Sequence, residues 1–167
     1  MTVKNPKELF VLLLSDVRQN EERTAETLKQ LSGVAKDPHI DEAIESHIFL
    51  RSQIIGTLDR CFSLIGEKPS KPTSRLHDVF LEDFRREVAE IQSPVAKRLY
   101  VLAKLKHLFH FRIAEYVALT AMADLSGHFG VGVMLETCLA EKLAFVDRAR
   151  RLARYIVQQE LQERLAA

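Results

Sequence analysis

Three times in this chain a helix-capping residue stands directly before a proline and a long apolar stripe: Asn5-Pro6, Asp37-Pro38 and Ser93-Pro94. Asn, Asp and Ser side chains accept hydrogen bonds from the unpaired N–H groups of a helix's first turn. A proline just inside that turn gives up an N–H that had no partner. Glu8, three residues after Asn5, supplies the acid of a capping box. These signals fix where helices begin and leave little room for strands.

The stripes that follow have helical spacing. Leu9, Phe10, Leu13, Leu14, Val17, Thr24, Leu28 and Leu31 predict a first helix over about 6–32, with Gly33 as its stop and a locally polar stretch from Arg18 to Arg23. Ile40, Ala43, Ile44, His47, Ile48, Ile54, Ile55, Leu58, Phe62 and Ile65 predict a second over 38–65, closed by Gly66. The segment EKPSKPTS, residues 67–74, reads as a long loop. A shorter helix over 75–92 carries Leu76, Val79, Phe80, Phe84, Val88 and Ile91 on one face. Long helices over 94–125 and 131–160 complete the chain, joined by the turn SGHFG. The expected architecture is all-α: an up-down four-helix bundle with a long crossover and one additional short helix, forming a single domain over 1–167.

Composition agrees, with 47% apolar residues, only 6 Gly and 5 Pro, and no Trp. The 24 Lys plus Arg nearly cancel the 23 Asp plus Glu, so no global field draws the protein to nucleic acid or to a membrane surface. Lys104, Lys106, His107, His110, Arg112 and Glu115 interrupt the most apolar region, which argues against a membrane span. The N-terminus MTVKNPKELF lacks the apolar run of a secretory signal. Cys61 and Cys138 sit singly in apolar surroundings, as reduced thiols of a cytoplasmic protein would.

Bundle interiors can hold carboxylates and histidines that bind two hard cations, typically through a Glu on each of two helices and a Glu-x-x-His pair on each of the others. Glu21 falls within the run Asn20, Glu21, Glu22, Arg23, whose periodicity reads as a solvated face. Glu45 and His47 are two apart and point to different faces, and His47, on the apolar stripe, reads as partly buried and hydrogen-bonded. His107 and His110 stand three apart without an upstream acid in step. Glu136 and Glu141 are five apart, and Asp147 with Arg151 has the spacing of a surface ion pair. No nucleophilic triad, phosphate loop or zinc spacing appears, and GVG at 130–132 lacks the strand that a dinucleotide fingerprint needs.

The segments ELFVLLLSDVRQNEE (8–22), LIGEKP (64–69), HFRIAEYVALTAMADLSG (110–127) and LETCLAEKLAFVDRARRLA (135–153) together resemble the YciF-like branch of the ferritin-like superfamily, bacterial proteins associated with stress responses. The resemblance implies metal ligands at Glu21, His110 and Glu141. It also implies losses: the helix-2 Glu-x-x-His pair falls at Phe49 and Ser52, the acids around His110 become Phe109 and Arg112, and a later Asp falls at Phe145 or Val146. Arg18, in place of a tyrosine, or Arg112 could supply charge to a surviving acid.

The expected function is that of a stress-associated ferritin-like protein that has lost a full di-iron site. It would act without catalysis as a helical scaffold or interaction protein, cytoplasmic and homodimeric by family analogy, with a further protein partner and no cofactor. The alternative is a di-iron ferroxidase or peroxide-consuming protein whose iron is held by Glu21, His110 and Glu141 with rearranged neighbours such as His107 and Glu136. A third reading makes the emptied interior a pocket for a hydrophobic or haem-like ligand, with His107 or His110 axial and Phe49, Phe109 and Phe111 as walls.

Overall fold

The computed structural model describes residues 3–71 and 74–166, so Pro72 and Thr73 of the expected loop lie outside the described residues. The described residues form five helices and no strand: α1 (Pro6–Ala35), α2 (Pro38–Ile65), α3 (Leu76–Ala89), α4 (Pro94–Leu125) and α5 (Phe129–Ala166). The three cap signals act as their chemistry dictates. Asn5 accepts from the Glu8 N–H, Asp37 from the N–H groups of His39 and Ile40, and Ser93 from that of Ala96.

The helix ends depart modestly from the expected ones. α1 runs past Gly33 and closes at Lys36, whose left-handed φ of 48° lets its N–H reach the Ser32 carbonyl; the very next residue, Asp37, caps the start of the next helix. α2 ends at Gly66 as expected, with φ of 71°. α5 begins earlier, at Phe129, and extends to Ala166.

α1 packs on α2 and α4, and α5 packs on the same two, so α1 and α5 are diagonal. The start of α1 shares one apolar cluster with the ends of α2 and α4 and the start of α5. Phe10, Leu14, Leu58, Phe62, Leu119 and Leu135 are among its members. The other ends meet in a second cluster that includes Leu31, Ile40, Ile44, Leu105, Phe109 and Phe145. Every adjacent pair is therefore antiparallel, while α2 and α4 run the same way, which is why a long crossover joins them. α3 lies within that crossover and packs on α1 and α4.

Between the two clusters each helix of the bundle places polar side chains indoors. Asn20, Glu21, Thr24 and Thr27 of α1, His47 of α2, Arg112 of α4 and Lys142 of α5 are all buried, and His77 of α3 joins them. The core is thus two apolar blocks separated by a polar layer at mid-height.

Candidate functional site

Helical spacing alone puts these groups inside. Lys142 lies four residues after Cys138 and three before Phe145, and Arg112 lies three after Phe109 and four before Tyr116, so each cation occupies a slot of a buried stripe. Glu21 is one turn beyond the buried Val17.

The first centre is built on Glu21, which is 1% exposed. Lys142 Nζ donates to its Oε2 at 2.8 Å, and the Tyr116 hydroxyl donates to its Oε1 at 3.1 Å. Lys142, also 1% exposed, presents Nζ to His47 Nε2 at 3.3 Å and lies 5.7 Å and 6.0 Å from the ring centres of Phe109 and Tyr116. A lysine ammonium only donates, so His47 accepts at Nε2 and carries its proton on Nδ1. Burial, reinforced by the Lys142 charge, pushes the His47 pKa down to about 3, which keeps the ring neutral. Phe109 and Phe145 stack 3.9 Å apart and meet the His47 ring edge-on at 4.7 Å and 5.1 Å. Burial and then the Glu21 charge hold the Tyr116 phenol well above its ordinary pKa, as a neutral donor.

The second centre is built on Arg112, which is 2% exposed. Its Nη1 donates to Glu115 Oε2 at 2.5 Å, and its Nη2 donates to His77 Nε2 at 2.6 Å. His77 Nδ1 lies 2.9 Å from Thr27 Oγ1, which itself donates to the Arg23 carbonyl. The chain of donors is consistent with a neutral His77 protonated at Nδ1, and burial followed by the charges of Arg112 and Arg23 lowers its pKa to about 4. Glu115 also accepts from Asn20 at 3.3 Å, and its carboxyl pKa is raised by burial against the opposing pull of Arg112. Arg112 Nε is buried without a partner.

Of the residues that the resemblance implied, only Glu21 sits in this layer. His110 is exposed and its Nδ1 meets the Lys106 carbonyl. Glu141 is half-buried, beside Lys142 in sequence, and lines a cleft of about 250 Å³ between α2 and α5 with His47, Leu50, Phe145, Arg148 and Arg151. The three are not brought together. The solvated reading of Asn20 and Glu21 is overturned, because both side chains turn inward. His47 is fully rather than partly buried. Arg18 turns outward to Asp59 and Glu22, and Arg112 serves Glu115 rather than Glu21. His107 and Glu136 are exposed, as are Phe111 and Phe49, the last at 83%, so the rings expected to wall a pocket are not buried together with Phe109. Sequence reasoning missed Lys142, His77 and the pairing of Arg112. The legible signal was a basic residue in an apolar slot.

A di-metal centre fits these donors poorly. Among the described residues no group of three or more His, Cys, Asp or Glu side chains is placed to hold a metal ion. Glu21 already meets an ammonium and a phenol. Cys61 and Cys138 are buried free thiols whose pKa values burial raises to about 11 and about 12, so neither offers a ready thiolate. Among the described residues no helix is long and apolar enough to cross a membrane.

The chain is 22% identical to protein YciF of Escherichia coli K12 over 148 residues, which is 86% of this chain and 87% of that protein. Its fold is similar to the crystal structure of the E. coli stress protein YciF, with a TM-score of 0.87 at 19% identity, covering 93% of this chain and 99% of that one. It is similar as well to YcfI from Rhodopseudomonas palustris, with a TM-score of 0.83 at 23% identity, covering 89% and 94%. These likenesses show the fold, an all-helical bundle. Residues 5–162 match a family described as a domain of unknown function, DUF892, and with nearly the whole sequence inside that match the chain belongs to this family.

Proposed function

We propose that this protein is a ferritin-like helical scaffold of a stress-associated family, whose centre is neutralised by its own side chains rather than by iron. The observation that carries this reading is the Lys142 ammonium 2.8 Å from Glu21, with both groups 1% exposed. A buried carboxylate needs a counter-charge, and a lysine on the facing helix supplies one that needs no metal. Phe109 and Phe145 add apolar bulk beside His47 where a hydrated ion would need oxygen donors. The protein acts through its surface, as a cytoplasmic homodimer or with another protein partner, rather than through redox chemistry.

Elemental analysis of protein from iron-rich growth tests this. The scaffold predicts far less than one iron per chain and no oxidation of Fe(II) above background. About two irons per chain, lost in Glu21→Ala, would establish the di-iron alternative instead.

A further inference from the structure

α3 differs from the other helices in what holds it. It is 14 residues long, Arg75 at its N-cap position makes no side-chain cap bond although Ser74 Oγ accepts from the Leu76 N–H at 3.4 Å, and its only buried residues are His77 and Phe84. At its far end Glu87 meets Lys104 and Tyr100, Phe84 stacks on Tyr100 with centroids 5.7 Å apart, and Arg85 donates to Gln30. At its near end Asp78 pairs with Arg23, and His77 reaches through the surface to bridge Thr27 of α1 and Arg112 of α4.

The His77 bridge works with one protonation state. Arg112 can only donate, so His77 Nε2 must accept, and its Nδ1–H is spent on Thr27. A second proton on Nε2 would set two donors and two positive charges 2.6 Å apart inside the protein. The groups facing the ring compensate only in part. From α4 comes Arg112, whose acid Glu115 lies on its other side; from α1 come Thr27, the cationic Arg23 and the Asn20 backbone carbonyl, which favours the proton but is outweighed by burial and the two arginines. On α3 itself Asp78 favours the proton but is engaged by Arg23.

We propose that α3 is an acid-released cover, which leaves the bundle when His77 takes up a proton and thereby opens the buried Arg112 centre to solvent. The four long helices keep both apolar clusters when α3 departs, apart from Phe84 and its partly buried neighbours, so release can occur short of global unfolding. The device holds whether or not the bundle centre takes metal.

The direction follows from linkage. An undocked His77 titrates near 6.5, whereas the docked ring stays neutral down to about 4, so falling pH favours undocking across that window. Site-resolved hydrogen exchange of the full chain at pH 7 and pH 5, corrected for intrinsic exchange, reads it. The opening equilibrium of residues 76–89 should rise about 20-fold, well ahead of α4. In His77→Gln, which retains an acceptor for Arg112 but cannot charge, the rise should vanish. Equal acceleration in α3 and α4 of the wild type, or a full rise in His77→Gln, overturns the proposal. If that variant is not helical at pH 7, the wild-type ratio of α3 to α4 decides alone.

Discussion

Glu21 and Glu115 each meet a cation in the same polar layer, but their surroundings differ. The Glu21–Lys142 pair is sealed, with both side chains 1% exposed, whereas Glu115 keeps 20% of its side chain in contact with solvent while Arg112 lies beneath it. A sealed charge depends entirely on its partner, because water cannot replace it. An open one can be rehydrated when its partner leaves. The first centre is therefore a structural keystone, and the second can tolerate change, which suits its position under a removable helix.

The sharpest way to break the comparison is to remove each cation. Lys142→Met leaves Glu21 buried and uncompensated, and should cost about 3–5 kcal/mol in urea unfolding. Lowering the pH acts on both centres through their histidines. His47 and His77 have folded pKa values of about 3 and about 4, below the unfolded value near 6.5, so their contribution is full above 6.5 and is lost as pH falls toward those values. At pH 5 each is about 1.5 units into that loss, or about 2 kcal/mol, giving a combined loss of about 2–4 kcal/mol measurable by denaturation at pH 7 and pH 5. Glu115 works the other way: its raised pKa is a penalty at neutral pH that acid relieves, which draws the total toward the lower figure. Arg112→Met should cost about 2 kcal/mol by the same urea assay, less than Lys142→Met, because Glu115 reaches water. Arg151→Ala, which breaks an exposed pair with Asp147, should cost less than about 0.5 kcal/mol. If Arg112→Met proved the costlier of the two core substitutions, the distinction between a sealed and an open centre would fail.

The sequence displayed the fold more fully than the centre, for a physical reason. Caps and stripes are local, and Asn5, Asp37 and Ser93 with the apolar residues behind them were enough to place the long helices and the crossover. The polar layer is a meeting of four helices at one height. Glu21 looked solvated because its sequence neighbours Glu22 and Arg23 are, yet its own side chain turns inward to Tyr116 and Lys142, more than 90 residues away in the chain. Lys142 occupies a slot of the stripe Leu135, Cys138, Phe145, Ala149, and that spacing alone could have marked it as buried. What no spacing could give was its partner. His77, beside the loop, was visible only as one more polar residue near the start of a short helix.

The pairing of Glu21 with Lys142 carries the functional reading, and a double-mutant cycle measures it directly. Glu21→Leu, Lys142→Met and the double variant are unfolded in urea beside the wild type. If lysine serves as the counter-charge, each single substitution is costly, the double variant recovers most of the loss, and the coupling is about 3 kcal/mol. Additive losses, with coupling under about 0.5 kcal/mol, would contradict it and would mean that Glu21 finds its neutralising partner elsewhere.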